Sequence, residues 1–196
     1  MKGFAMTRSF FFTLLLIAAV AAAAVAGTIE GKVSPGKAVV YVDTIPGKTF
    51  PAPSQKPMLS QQGLVFNPHL LVVQQGTTVE FQNNDSVQHN VFWPAISGNK
   101  KEGHNLGTWP KGDKRSFTFD QPGVVPLLCN VHPEMAGYIV VSPTPYFAET
   151  DANGNYKIEN VPDGKYSVVA WHEGSKLQTK PVDVTGTGKA DFSLAK

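Results

Sequence analysis

The run Leu128-Cys129-Asn130-Val131-His132-Pro133-Glu134-Met135 offers a thiolate, an imidazole and a thioether within seven residues, counted from Cys129 to Met135. Cys129 is the only cysteine of the chain. A further histidine, His89, lies upstream between two stretches that have the composition of β-strands. Two histidines, one cysteine and one methionine form the ligand set of a trigonal copper site with a weak axial sulfur. The sequence therefore predicts a copper ion bound by His89, Cys129, His132 and Met135.

The prediction depends on the combination of these residues, because each has an ordinary explanation when taken alone. A single buried cysteine or methionine is usually a packing residue, and a histidine beside a strand is usually a hydrogen-bonded side chain. Zinc also accepts histidine and cysteine, but methionine is not among its usual ligands. We therefore expect copper at this site.

Short β-rich runs separated by Gly, Pro, Asn and Asp fill the chain outside its first residues, which indicates an all-β sandwich or barrel. The candidate strands are 28–33, 38–42, 69–73, 78–82, 89–93, 116–119, 124–129, 137–141, 156–160, 166–171 and 190–194. One candidate strand ends at Cys129 and the next begins at Gly137. The three ligands of the run therefore lie at one hairpin end, whereas His89 comes from a distant strand.

The first residues have the pattern of an export signal. Lys2 and Arg8 precede an apolar core, and Ala24-Val25-Ala26 fits the small-residue rule for signal peptidase, so residues 1–26 are predicted to be a cleaved signal peptide. Retention as an uncleaved anchor is the alternative. Loss of Lys2 and Arg8 from the 17 basic residues would leave them equal to the 15 acidic residues. We expect a neutral periplasmic protein that is not stably inserted in the membrane and does not bind nucleic acid.

The last third of the chain contains two turn-and-strand units, Thr150 to Ile158 and Val161 to Val168. This part resembles the carboxypeptidase regulatory-like, transthyretin-like β-sandwich, a family that normally begins with a strand pair of the kind found in 27–43. The resemblance implies a discontinuous sandwich of residues 27–43 and 146–196. A linker (44–62) and an inserted metal domain (63–145) would lie between them. The alternative is a simple series, in which 27–57 adds edge strands to the metal domain and 146–196 stands alone.

Residues from about Gly63 to Ser142 resemble the cupredoxin family of plastocyanin-like blue copper proteins, with the ligand spacing of amicyanin. The resemblance rests on Phe66-Asn67-Pro68, Gly76-Thr77-Thr78-Val79-Glu80-Phe81, Asn84-Asp85, His89-Asn90, Pro122-Gly123, and Cys129, His132 and Met135. It implies a Greek-key sandwich with two equatorial imidazoles, a cysteine thiolate and a long axial methionine bond. It also implies that Asn90 ties its strand to the cysteine loop by hydrogen bonds.

Three features depart from this family pattern or stay open. Pro126 stands within the strand before the cysteine, where a bulge or an exposed edge is expected. Glu134 is an alternative oxygen donor, although we expect it to face solvent. The segment 94–114, which includes His104, is expected to be a solvated surface excursion of unknown role.

The function favoured by the sequence is electron transport by a type 1 copper protein whose partners include a cytochrome or a dehydrogenase. No catalytic activity of its own is expected, because copper oxidases and nitrite reductases need further histidine motifs and the chain contains no His-x-His. The alternative is a copper-storage or adhesion protein in which the metal is structural. A third possibility is a variant site in which Glu134 or an open position gives other chemistry.

Overall fold

Short strands form almost all of the regular structure in the protein, of which a computed structural model describes residues 26–195. Strands account for 55% of the residues and helix for 2%, so the predicted all-β fold is confirmed. The predicted signal peptide lies outside the described residues, except that Ala26 begins the first strand. Within residues 26–195, no helix has the length and apolar character needed to cross a bilayer.

The described residues form seventeen strands and one short 3-10 turn at Lys100–Glu102. In chain order the strands are β1 (Ala26–Ser34), β2 (Val39–Val42), β3 (Met58–Gln61), β4 (Phe66–Asn67), β5 (Leu70–Gln74), β6 (Thr77–Asn83), β7 (His89–Trp93), β8 (His104–Trp109), β9 (Lys114–Phe119), β10 (Gly123–Leu128), β11 (Ala136–Ser142), β12 (Phe147–Glu149), β13 (Asn155–Pro162), β14 (Gly164–Trp171), β15 (Gln178–Val184), β16 (Thr187–Lys189) and β17 (Phe192–Ser193).

Strands β3–β11 form two facing sheets, which we call the central sandwich. One sheet has the order β5-β11-β10-β7-β8 and the other the order β4-β3-β6-β9. Strict alternation of buried and half-buried residues in β6 and β10 turns one face of each strand inward. The core between the sheets contains large aromatic side chains, among them Trp93, Trp109, Phe81 and Phe119.

The remaining strands form a second pair of sheets, which we call the outer sandwich. β1 pairs with β13, β16 and β17, and β2 pairs with β12 and β14. Residues from both ends of the described chain therefore share one apolar core, for example Ile29 and Val40 with Tyr156 and Val168. The first two strands belong to this sandwich and add no edge strand to the central one.

A third apolar cluster joins the two sandwiches, and we call it the seam. It consists of Val39, Tyr41, Val140, Val169 and Trp171, with Leu70, Val72, Val124, Tyr138 and Phe147 packed against them. Strand β11 separates the seam from the central core: Ile139 and Val141 face that core, whereas Tyr138 and Val140 face the seam. The rings of Tyr138 and Trp171 lie 5.1 Å apart, and His69 Nε2 lies 2.9 Å from Glu173 Oε2 across the same boundary.

Two segments expected to be irregular contain strands. Part of the expected 44–62 linker forms β3, which runs parallel to β6 and buries Leu59 and Gln61 completely. The expected excursion 94–114 contains β8, which pairs with β7. Both strands are short and carry polar or glycine residues, so their composition gives little β signal, and tertiary pairing decides their conformation.

The bulge expected at Pro126 is absent from β10, because its register with β11 is continuous from Gly123 to Leu128. β10 is also not a free edge, since Leu128 pairs with Phe92 of β7. That pairing involves Leu128 alone, so most of this side of β10 makes no ladder bonds. A proline can be accommodated in such a strand.

Candidate metal centre

The sheet order of the central sandwich brings the candidate ligands together. His89 begins β7, Cys129 directly follows β10, His132 lies in the β10–β11 loop, and Met135 directly precedes β11. β7 and β10 are antiparallel neighbours, paired at Phe92 and Leu128. Continuing this register three residues toward the start of β7 places His89 beside the cysteine loop. Residues distant in sequence thus converge at one end of the sandwich.

Donor atoms of three candidate ligands lie close together. His89 Nδ1 lies 3.0 Å from His132 Nδ1, and Cys129 Sγ lies 4.0 Å from His132 Nδ1. All three atoms lie within 4.8 Å of one another. With bonds of about 2.0–2.1 Å to nitrogen and about 2.3 Å to sulfur, one ion can bridge nitrogens up to about 4.2 Å apart and a nitrogen and a sulfur up to about 4.4 Å apart. The separations of His132 from His89 and from Cys129 satisfy these limits, and the donors of His89 and Cys129 lie within 4.8 Å of each other.

The chemistry of the donors also fits copper. Among residues 26–195, this is the one group of three or more His, Cys, Asp or Glu donors with such spacing. His89 is completely buried and Cys129 is 3% exposed, whereas His132 is half-buried. A thiolate and imidazoles in a largely dry site suit copper and zinc better than calcium or magnesium, which prefer oxygen.

Met135 is 1% exposed and belongs to the same core cluster as Cys129. Its backbone N–H donates to the carbonyl oxygen of His132 at 3.0 Å, which closes a tight turn between these two predicted ligands. Glu134 is exposed, and its carboxylate is not one of the donors that converge at the site. Of the two further candidate ligands in this loop, Met135 is thus buried in the core and Glu134 is exposed to solvent.

Asp85 fixes the orientation of the His89 ring. Its Oδ2 lies 2.9 Å from His89 Nε2, which leaves His89 Nδ1 free to face Cys129 and His132 when Nε2 carries the proton. The backbone N–H groups of Gly63 and Leu64 donate to the same carboxylate at 2.7 and 3.0 Å. A carboxylate behind a ligating histidine orients the ring and raises its basicity.

The pKa of Asp85 reflects these contacts. Burial acts to raise it, but the hydrogen bonds from Leu64 and Gly63 and the contact with His89 outweigh burial and hold the pKa below its usual value. The carboxylate is therefore ionised near neutral pH, where both of its oxygens act only as hydrogen-bond acceptors.

Asn90 connects β7 to the cysteine loop. Its backbone N–H donates to Cys129 Sγ at 3.4 Å, and its side-chain Oδ1 accepts from the backbone N–H of Asn130 at 3.3 Å. Its Nδ2 donates to Asn105 Oδ1 at 2.9 Å and to the carbonyl oxygen of Gly107 at 2.7 Å. Each polar atom of this side chain is therefore paired.

The sequence analysis missed the supporting roles of Asp85, Asn105 and Gly107. A carboxylate four residues before a candidate histidine ligand is the signal that could have identified Asp85. Nothing local identifies Asn105 and Gly107, because their position depends on how β8 pairs with β7.

His104 is not part of the metal centre. It pairs with Trp93 at the opposite end of β7 from His89, about 13 Å away at the usual rise of a strand. Its ring packs against those of Trp93 and Phe117, at centroid distances of 5.4 and 4.7 Å. His69 and His172 lie beside the seam and are also outside the donor group.

Two family models match successive parts of the chain. Residues 55–142 match the family model of copper-binding proteins of the plastocyanin/azurin family, and residues 141–192 match domain II of polysaccharide lyase family 4. The first match covers the central sandwich. This part of the chain is therefore similar to the copper-binding domains of that family.

Several solved structures are similar to part of the chain. A purple cupredoxin from Nitrosopumilus maritimus is 26% identical over 44% of this chain and 100% of its own, with a TM-score of 0.40. A reduced single-site mutant of amicyanin is 25% identical over 54% of this chain and 99% of its own, with a TM-score of 0.42. A copper-containing nitrite reductase from Thermus scotoductus is 27% identical over 50% of this chain and 25% of its own, with a TM-score of 0.41.

Proposed function

We propose that this protein is a periplasmic type 1 copper protein that carries single electrons between redox partners. The observation that carries the proposal is the convergence of His89 Nδ1, Cys129 Sγ and His132 Nδ1 within 4.8 Å, with the buried Met135 beside them in the loop. The match to the plastocyanin/azurin family supports it. Bound copper would supply a couple between Cu(I) and Cu(II), which is one-electron chemistry.

The protein's own residues keep the donors in place without the ion. Asp85 holds the ring of His89, and the Asn90 N–H holds the sulfur of Cys129. The amide of Asn130 is held in turn by Asn90 Oδ1. Donors fixed in this way need little rearrangement between the two oxidation states, which favours rapid electron transfer.

The half-buried His132 is the proposed point of electron entry and exit. Exposed apolar side chains belong to the segments that support the site: Val131 is 46%, Val87 44% and Leu64 41% exposed. Such a rim suits the small, transient interfaces of redox proteins, which bury less than about 1,200 Å². The proposed partners are a cytochrome or a dehydrogenase, and the protein is proposed to have no catalytic activity of its own.

We assign the outer sandwich to the carboxypeptidase regulatory-like, transthyretin-like class and propose a structural or docking role for it. Its pairing of β1 and β2 with the C-terminal hairpins supports this assignment. The apolar seam supports a rigid attachment to the copper domain. The outer sandwich would thus hold the copper end in a fixed direction.

Loading the mature protein with Cu(II) tests the proposed function. We expect an intense thiolate-to-copper charge-transfer absorption that ascorbate bleaches and ferricyanide restores. Cys129→Ala should abolish the band, whereas His172→Ala, which changes a histidine outside the donor group, should retain it. Stopped-flow mixing of the Cu(I) protein with oxidised cytochrome c should then show one electron transferred per protein.

Two results would contradict the proposed electron-carrier function. A colourless Cu(II) complex, or a site that takes zinc in preference to copper, would favour the structural or storage alternative. A coloured site that exchanges no electron with cytochrome c or with another one-electron acceptor would remove the carrier role and leave copper binding.

A further inference from the structure

We propose that the bulge in β8 at Leu106 and Gly107, together with the adjacent Asn105, positions the thiolate of Cys129 through the side chain of Asn90. Asn105 is thus a positioning residue for the metal centre, although it lies on a different strand from every candidate ligand. The inference rests on the proposed copper function for its spectroscopic consequences. Its structural part can be tested without the metal.

The bulge arises from a change of register between β7 and β8. Asn90 pairs with Thr108 and Phe92 pairs with Asn105, so one residue of β7 faces two residues of β8, Leu106 and Gly107. Gly107 has φ +85°, a left-handed conformation that glycine adopts most readily. Bulges of this kind redirect groups beside functional sites. Here the bulge turns two acceptors, Asn105 Oδ1 and the Gly107 carbonyl oxygen, toward Asn90.

These acceptors allow only one orientation of the Asn90 amide. The β8 side offers two acceptors, so the NH₂ group must face β8. The side of the cysteine loop offers the N–H of Asn130, so Oδ1 must face that loop. A flipped amide would place its oxygen against two acceptors and its NH₂ against a donor, and would lose all three hydrogen bonds.

The orientation of Asn105 is fixed as well. Its Oδ1 accepts from the backbone N–H of Gly107 at 2.8 Å in addition to Asn90 Nδ2. The hydrogen bonds therefore run from Gly107 through Asn105 and Asn90 to Asn130, directly beside Cys129. The backbone N–H of Asn90, which the same network holds in place, donates to the sulfur itself. Donors to a metal-bound sulfur tune its potential, so we expect Asn105 to influence the copper couple.

Replacement of Asn105 with Ala tests this inference, with Asn99→Ala as the matched control. Asn99 lies in the same segment and also accepts a backbone hydrogen bond, from Lys101 N at 3.2 Å, but it does not contact Asn90. In the metal-free protein we expect Asn105→Ala to speed amide exchange of Asn130 about two- to tenfold, since a single hydrogen bond is lost. Exchange of Asn130 in Asn99→Ala should match the wild type. Asn105→Asp retains the acceptor and should restore the protection.

In the copper-loaded protein, Asn105→Ala should also shift the charge-transfer band and lower the reduction potential, because the thiolate loses part of its hydrogen bonding. Unchanged Asn130 exchange would overturn the inference. Faster exchange with an unchanged band and potential would also overturn it, because the network would then not reach the sulfur. Should Asn105→Ala not fold, Asn105→Leu keeps the volume and lacks the acceptor. Failure to bind copper would remove the proposed function, while amide exchange would still decide the role of the bulge.

Discussion

Replacing Asp85 with Ala should weaken copper binding more than it weakens the fold. The substitution removes the acceptor of His89 Nε2 and leaves that completely buried ring without its orienting partner. Loss of such a partner behind a metal ligand typically reduces affinity 10- to 100-fold, which corresponds to about 1.4–2.7 kcal/mol. We expect the Cu(I) affinity of Asp85→Ala to fall within that range.

The effect on folding should also be measurable. Hydrogen bonds to a charged group contribute about 1.5–3 kcal/mol each, but the amides of Gly63 and Leu64 lie in an exposed turn and can bind water instead. We therefore expect the free energy of unfolding of the metal-free protein to fall by about 2–3 kcal/mol. For a protein of this size that corresponds to a decrease in Tm of about 4–12 °C.

The assay is a competition titration of Cu(I) against a chromogenic chelator, together with urea unfolding of the metal-free protein. Asp151→Ala is the matched control, because Asp151 also accepts three hydrogen bonds, from Asn153 N and from the N and Nδ2 of Asn155, in the outer sandwich. It should lower stability and leave copper affinity unchanged. If Asp85→Ala binds Cu(I) within about twofold of the wild type, or if Asp151→Ala loses as much affinity, the orienting role of Asp85 is wrong.

Three further outcomes are expected. The pKa of Asp85 is lower in the folded protein than its unfolded value of about 4. Its contribution to the free energy of unfolding is therefore complete above about pH 4 and is lost as the pH falls through the folded pKa. Acid unfolding followed by circular dichroism should consequently be less steep in Asp85→Ala than in the wild type. Met135→Leu should retain the coloured site and raise the reduction potential measured by voltammetry, since the oxidised ion loses a sulfur donor, and an unchanged potential would show that Met135 is not a ligand. Trp171→Ala should lower the free energy of unfolding by about 3–5 kcal/mol in urea titrations while copper affinity stays the same, because it empties part of the seam; a loss below about 1 kcal/mol would contradict the packing described.

The fold class and the candidate ligands could be predicted because their signals are local. Cys129, His132 and Met135 lie in one loop, and their spacing is visible in any strand–loop–strand arrangement. The all-β character follows from short β-rich runs between turn residues. His89 was added because a trigonal copper site needs a second imidazole, and the family pattern added Asn90, which spacing alone does not connect to the cysteine loop.

The supporting network could not be predicted in the same way, because it depends on register. Asn105 meets Asn90 only because β8 contains an extra residue opposite β7, and no local pattern gives the position of a bulge. β3 was missed for a similar reason: its four residues are half polar, and their pairing with β6 decides their conformation. The bulge expected at Pro126 is absent because β10 pairs with β7 at Leu128 alone, so the proline leaves the register with β11 continuous.

The path of the chain between the two sandwiches determines how the molecule responds to proteolysis. Among the described residues, the polypeptide passes from the outer sandwich into the central one through residues 43–57 and returns through 143–146. One cut in the first passage leaves β1 and β2 hydrogen-bonded to β13 and β14, so both fragments stay together in a nicked molecule. Release of the copper-binding part therefore requires two cuts, and a single band on a native gel does not show that the backbone is intact.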